Sequence, residues 1–288
     1  MMGFFEKEYN SVGNWCDVIP IYECQTDYQK IQILSNKIYG KMLVLDGMLQ
    51  SSTNYEFIFN EMLVHGAMCM HEYPQSVLII GGGSCNSACR VLQYTSVKEL
   101  IVCDIDQKVY ELCKLYIPEF THSTSHAIKQ KKMKMIFADA INFLHNSDKK
   151  FDVIIIDGTD PIGVGKKLYS EDSFRLYSSH LNENGVIAVL SGNPLLYQNQ
   201  FVDVLSSLSS ICEFIRPAYC VEPEFPFAMY SFLYGSESER LYWHNIEGKY
   251  FNYDLFLGSQ MLPTFMRNIF LKEGMINVAV QGTCYSYN

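Results

Sequence analysis

The stretch SVLIIGGGSCNSACRVLQY, residues 76–94, passes from an apolar run through three glycines into residues that can start a helix. Val77–Ile80 is too short and too uniformly apolar for an amphipathic helix and reads as a strand buried on both faces. A strand that ends in glycines and feeds a helix brings a nucleotide-like ligand against backbone N–H groups. Gly81, Gly82 and Gly83 therefore form the expected close-approach turn, with Ser84, Cys85 and Asn86 where such loops often carry a charge or more glycine.

The same strand pattern recurs downstream in ELIVCDID, MKMIFAD, FDVIIIDG and GVIAVLSG, with helical stretches between the runs. Apolar strands alternating with helices predict a parallel sheet covered on both faces, whose ligands bind beyond the carboxyl ends of the strands. Each run ends in Gly, Asp or Ser, so polar groups from separate strands gather on one edge. Upstream, YEFIFNEMLVHGAMCM, residues 55–70, has helical spacing and no proline. Before it, VIPIYEC, QKIQILS and GKMLVLDGMLQSS alternate between turn signals and predict a small antiparallel sheet. The expected organisation is an N-terminal β domain over residues 1–53 and an α/β domain over residues 54–288. The tail INVAVQGTCYSYN carries weak signals and is expected to be partly disordered.

The strand-end acids suggest what the edge holds. Asp104 lies roughly 20 residues past the glycines, where a carboxylate accepts hydrogen bonds from both hydroxyls of a ribose; the alternative is a cap for the next helix. Asp139, or the following N–H of Ala140, is placed to read the exocyclic amine of adenine, again with a helix cap as the alternative. Asp157 and Asp160, in IIIDGTDPIGVG, can clamp a cationic amine and take its proton. Ser84 is a poor nucleophile candidate because GGSCN lacks the final glycine of a nucleophile elbow, and no Gly-Lys-Ser/Thr ending marks a phosphate-binding loop.

Composition narrows the class. At 288 residues and 48% hydrophobic content the chain can bury a sizeable core. A net charge of −9 argues against nucleic acid as partner. The lysine cluster KQKKMK, residues 129–134, reads as a solvated loop before a strand. Ten cysteines without a leader-like apolar N-terminus fit a reducing, cytoplasmic setting. No run approaches the roughly 18–20 apolar residues of a membrane span, so no membrane partner is expected. Cys85 and Cys89 lack a second ligand pair, and no metal site is expected.

In order and spacing, YGKMLVLDGMLQ, EFIFNEM, VLIIGGG, CDID, FDVIIIDGTDPIG and YFNYDLF resemble the polyamine aminopropyltransferases typified by spermidine synthase. The resemblance runs from about Trp15 to Phe270. It implies a Rossmann-like, class I methyltransferase-type sheet behind an N-terminal antiparallel β domain. It also implies a small-molecule amine and an adenosyl donor as ligands, in a homodimer or homotetramer built through the N-terminal sheets. The donor is decarboxylated S-adenosylmethionine, a co-substrate rather than a prosthetic group. Its aminopropyl group passes to putrescine or a related amine, and methylthioadenosine leaves.

Carried over by position, Gln29, Gln50, the three glycines, Ser84, Asp104, Ile105, Asp139 and Ala140 resemble the donor site. Asp157 resembles the acid that receives the amine's proton. Asp160, Phe59, Asn60, Glu61, Glu224 and Phe225 fall on the amine side. Where the family's loop reads Gly-Gly-Gly-Asp-Gly-Gly, Ser84 replaces an aspartate that holds the donor's ammonium and repels the carboxylate of intact S-adenosylmethionine. Phe59 and Asn60 replace Tyr-Gln, and Pro223, Glu224 and Phe225 replace Pro-Thr-Tyr. These departures leave two alternatives: a transferase of a methyl or aminocarboxypropyl group from the intact donor, and a catalytically weak regulatory paralogue.

Overall fold

The computed structural model describes residues 2–5, 15–159, 163–225, 228–246 and 248–272. Asp160 and the tail from residue 276 onward lie outside them.

Five strands, β1 (Met2–Phe5), β2 (Trp15–Gln25), β3 (Lys30–Asn36), β4 (Gly40–Leu45) and β5 (Met48–Ser52), form an antiparallel sheet in sequence order. Asp46 and Gly47 both adopt positive φ, 49° and 83°, and Leu45 pairs with Met48. This is the two-residue turn whose twist suits a hairpin, and Asp-Gly is a sequence that adopts it readily. Alternation along β3 and β4 divides the side chains between two faces. Ile31, Ile33, Leu43 and Leu45 pack with Val109, Leu112 and Phe120 of the following domain, whereas Leu34, Met42 and Val44 join Val18 and Leu49 in a separate cluster.

Helix α1 (Glu56–Met68) leads to the second sheet, with β6 (Ser76–Gly81), β7 (Glu99–Asp104), β8 (Met133–Phe137), β9 (Phe151–Asp157), β10 (Leu181–Gly192), β11 (Phe214–Val221) and β12 (Met229–Ser236). Between the strands run α2 (Asn86–Val91), α3 (Gln107–Tyr116), α4 (Pro118–Thr121), α5 (Thr124–Lys129), α6 (Ala140–His145), α7 (Glu171–Ser179) and α8 (Gln198–Ser209). A 3-10 segment, Gly163–Tyr169, precedes α7, and α9 (Tyr253–Gly258) and α10 (Thr264–Lys272) follow β12.

Strand order is β11-β12-β10-β9-β6-β7-β8. The five strands legible as apolar runs are mutually parallel, and β12 runs antiparallel to both β10 and β11. From β6 the chain builds outward through β7 and β8, then returns to place β9 on the other side of β6. That reversal between β6 and β9 opens a crevice at their carboxyl ends. Val77–Ile80 and Val153–Ile156, the two strands flanking it, are at most 1% exposed, as strands covered on both faces must be. Helix α1 packs on β9, β10, β11 and β12, which explains why its buried residues surround it rather than forming one stripe. The fold class is the expected one. The sequence reading does not separate out β11 and β12, because FIRPAYCV and MYSFLYGS interleave polar and apolar residues without a boundary of turn residues.

Candidate active site

The ends of β6, β7, β8 and β9 converge on one cavity of about 530 Å³. Its floor is the glycine loop. Gly81 and Gly82 hold φ of 82° and 70°, a region that favours glycine. A Cβ on Gly82 would stand 3.0 Å from Asp157 Oδ2, and one on Gly83 would stand 2.7 Å from Asp104 Oδ2. A Cβ on Gly81 would run into the carbonyl oxygen of Asp157, which accepts a hydrogen bond from Gly82 N at 2.9 Å. The glycines thus make room for the protein's own acids as well as for a ligand. Cys85, next in the loop, also has positive φ, 70°, and is fully buried.

Asp104 accepts from Gly83 N and from Asp106 N, both at 2.8 Å. Each carboxylate oxygen keeps lone-pair capacity toward the cavity. Burial pushes its pKa up, against the two amide hydrogen bonds that pull it down. The cap of α3 is Asp106, whose Oδ1 accepts from Lys108 N at 3.0 Å. Asp139 caps α6 by accepting from Asn142 N at 3.0 Å, and it also lines the cavity beside Ala140. Lys167, from the 3-10 segment, stands 3.9 Å from its Oδ2.

Asp157 ends β9 directly across from Asp104. Its carboxyl is raised to about 6, chiefly by burial and further by the charge of Asp104, while a hydrogen bond from Ser87 opposes the shift. Ser87 Oγ lies 2.6 Å from Asp157 Oδ2 and 2.8 Å from Asn60 Oδ1. No sequence signal singles out Ser87; it sits in the first turn of α2 among small residues, and only the tertiary packing of α2 on α1 brings it to Asp157.

The N-terminal sheet supplies the facing wall through Tyr28, Gln29, Leu43 and Gln50. Gln29 Nε2 donates to Asp106 Oδ2 at 3.1 Å beside Thr26 Oγ1 at 2.8 Å, so two residues of one domain grip one acid of the other. Gln50 Nε2 donates to Met48 O at 3.2 Å. Ser84 and Ile105 line the cavity as well, and Ser84 Oγ has no hydrogen-bond partner among the described residues. On the remaining side stand Phe59, Asn60, Phe225 and Tyr230, with Phe225 and Tyr230 ring centroids 4.9 Å apart. Tyr230 is an addition to the wall that the sequence reading did not name.

Two expected wall residues are elsewhere. Glu61 points away from the cavity and accepts from the backbone N–H groups of Lys249, Tyr250 and Phe251 at 2.8–3.1 Å, with Arg90 Nε 3.6 Å away. Its place on α1, next to two wall residues, turns it roughly 100° around the helix from Asn60. Glu224 is 1% exposed and packs beside Glu222, whose Oε1 accepts from Glu224 N at 3.1 Å. Neither carboxylate lines the cavity, so Glu224 adds no charge to its wall.

Residues 56–243 match the spermine/spermidine synthase domain, and residues 19–53 match the spermidine synthase tetramerisation domain. The chain belongs to the spermine/spermidine synthase family. It is 32% identical over 273 residues to a polyamine aminopropyltransferase of Caldicellulosiruptor saccharolyticus, covering 92% of this chain and 97% of that one. To the spermidine synthase of Schizosaccharomyces pombe it is 31% identical over 260 residues, covering 86% of each. A crystal structure of spermidine synthase in complex with the transition state analogue AdoDATO superimposes with a TM-score of 0.87 at 29% identity, covering 93% of this chain and 94% of that one. The spermidine synthase of Thermotoga maritima gives 0.85 at 28%, with the same coverage. The expected membership is therefore correct: this is a transferase of the aminopropyltransferase family, with a module named for oligomer formation at its N-terminal end.

Proposed function

We propose that the protein transfers the aminopropyl group of decarboxylated S-adenosylmethionine to a diamine such as putrescine. The observation that carries this reading is the convergence of Asp104, Asp139 and Asp157 on one cavity, with Asp157 raised to about 6. In the displacement, the amine nitrogen attacks the carbon beside the sulfonium, the C–N bond forms, and the C–S pair returns to sulfur. The reaction needs alignment and an amine stripped of its extra proton.

Asp104 accepts from the ribose hydroxyls, with the glycine loop beneath and Ile105 beside the adenosine. Gln29 and Gln50 close the donor from the N-terminal sheet. Asp139 and the Ala140 N–H face the adenine. Asp157 takes the proton of the amine, whose chain lies along Phe59, Asn60 and Phe225. Asp160, close after Asp157 in the chain, is its partner in amine binding. The working form is a homodimer or homotetramer assembled through the N-terminal sheets, and it acts in the cytoplasm.

Incubation with the decarboxylated donor and a panel of di- and triamines, read by mass, is expected to give methylthioadenosine and an amine heavier by one aminopropyl group. No methylthioadenosine with any amine would sink the reading. A second reading, transfer from intact S-adenosylmethionine, is favoured by Ser84, which brings an uncharged hydroxyl to the cavity wall. The same assay separates the two by product mass.

A further inference from the structure

Three oxygens stand in a row at the cavity wall, where Asp157 and Asn60 line it and Ser87 lies behind them: Asp157 Oδ2, Ser87 Oγ at 2.6 Å, and Asn60 Oδ1 at 2.8 Å from Ser87. Ser87 is 0% and Asn60 5% exposed. The orientation of the Asn60 amide is set by its other end, where Nδ2 donates to the main-chain oxygen of Glu56 at 2.7 Å and approaches Glu56 Oε2 at 3.3 Å. Turning the amide over would set oxygen against oxygen at both contacts, so Asn60 presents an acceptor to Ser87.

Ser87 has one hydrogen and two acceptors. With Asp157 ionised, the row holds a single hydrogen, and one of the two short contacts is left between bare lone pairs. With Asp157 protonated the row holds two, and both contacts are satisfied in sequence: Asp157 Oδ2–H to Ser87 Oγ, and Ser87 Oγ–H to Asn60 Oδ1.

We propose that Asn60 and Ser87 form a proton seat for Asp157, in which Asn60 draws off the Ser87 hydrogen so that the serine offers a lone pair to the protonated acid. The hydroxyl thereby acts in the sense opposite to a simple donor to a carboxylate. The catalytic meaning rests on the reading of Asp157 as proton acceptor. The amine gives up an N–H proton and keeps the electron pair that attacks carbon; the proton is held between Asp157 Oδ2 and Ser87 Oγ, and the serine hydrogen turns to Asn60. An acid whose protonated form is so held is a stronger base, closer in pKa to its task. In this scheme Ser87 is a positioning residue, and Asn60 orients it while also lining the cavity.

Among the described residues, other ionisable groups around the row include Asp104, across β6 from Asp157, and the Cys85 thiol in the loop. Beyond Asn60 lies Glu56, which is paired with Arg90 at 2.6 Å. Lys167 approaches Asp139 on the cavity's opposite wall.

The test is the carboxyl titration of Asp157 in the unliganded full chain, followed by NMR of protein labelled with 13C at the aspartate carboxyls, with the Asp157 signal assigned by its loss in Asp157→Asn. In Asn60→Ala the serine hydrogen belongs to the carboxylate alone, and the Asp157 pKa is expected to fall by about one unit. Asn60→Leu, which keeps more of the volume, is expected to do the same and guards against a packing artefact. In a Ser87→Ala background, replacing Asn60 is expected to shift nothing further. An unchanged or raised pKa in the Asn60 variants overturns the proposal, as does an equal fall when Ser87 is already alanine. Turnover plays no part in the titration, so a chain inactive with every amine would count against the proposed function and leave the seat to be judged on its own.

Discussion

Gly83 N donates to Asp104 Oδ2 across 2.8 Å, binding the loop at the end of β6 to the acid at the end of β7. This hydrogen bond, with the one from Asp106 N to Oδ1, fixes the direction of the carboxylate over the glycine floor of the cavity. In Gly83→Ala the new Cβ would press on Asp104 Oδ2, and Asp104→Ala removes the acceptor altogether. Both variants should weaken binding of the decarboxylated donor about 10- to 100-fold by calorimetry, the range of a charge-assisted hydrogen bond. An unaltered affinity in Asp104→Ala would remove the acid from the donor site.

As the proposed base, Asp157 would act only when ionised. With its carboxyl raised to about 6, kcat/KM should climb as pH rises through that value. Asp157→Asn should lower kcat about 10²- to 10⁴-fold and abolish this acidic limb. A variant that keeps the limb would assign the titration to another group.

Ser84 lines the cavity, and in the proposed donor site a carboxylate in its place would repel that of the intact donor. Ser84→Asp should raise the preference for decarboxylated over intact S-adenosylmethionine at least about tenfold, the effect of one nearby charge at an intermediate dielectric. Competitive calorimetry of the two donors reads it, and an unmoved ratio would show that the loop does not set donor choice.

Cys85 is a buried side chain held at positive φ. Both Cys85→Gly and Cys85→Ala lose the sulfur, but only glycine is free of the Cβ penalty of the left-handed region. Cys85→Gly should therefore be the more stable of the two by about 1 kcal/mol in urea unfolding. Equal stabilities would mean that the loop relaxes around alanine.

Glu222 and Glu224 are buried side by side, and desolvation raises both, Glu222 to about 8 from 4.5. A raised acid binds more protons folded than unfolded, so its contribution to stability falls as pH climbs from 4.5 toward 8 and is level beyond. Glu222→Gln should raise Tm above wild type at alkaline pH, with the difference fading as pH falls to 4.5 and below. A difference independent of pH would place the effect in packing rather than charge.

The parallel strands are legible in the sequence because those inside the sheet, buried on both faces, hold apolar residues up to their carboxyl ends, and the edge strand β8 keeps its apolar residues around one exposed lysine, Lys134. Which acid does what is less legible. Asp104 and Asp106 sit one residue apart, and only the loop geometry shows that Asp106 caps α3 while Asp104 holds the glycines. Glu61 adjoins Phe59 and Asn60 in the chain, but helical rotation sends it to the backbone of residues 249–251. Ser87 carries no local signal, since its importance comes from which residue of α1 lies against α2. The glycines are also legible only in part, since a Cβ on Gly81 or Gly83 would first meet Asp157 or Asp104, and one on Gly82 would meet Ile79 Cγ2 at 2.9 Å and Asp157 Oδ2 at 3.0 Å.

Through the grip of Thr26 and Gln29 on Asp106, the region that matches a tetramerisation domain also walls the cavity. The chamber has two owners, and the α/β half alone would be a bowl without its lid wall. Any displacement of the sheet from α3 reaches the cavity through the Asp106 carboxylate together with the apolar contacts of Ile31, Ile33, Leu43 and Leu45 on Val109 and Leu112.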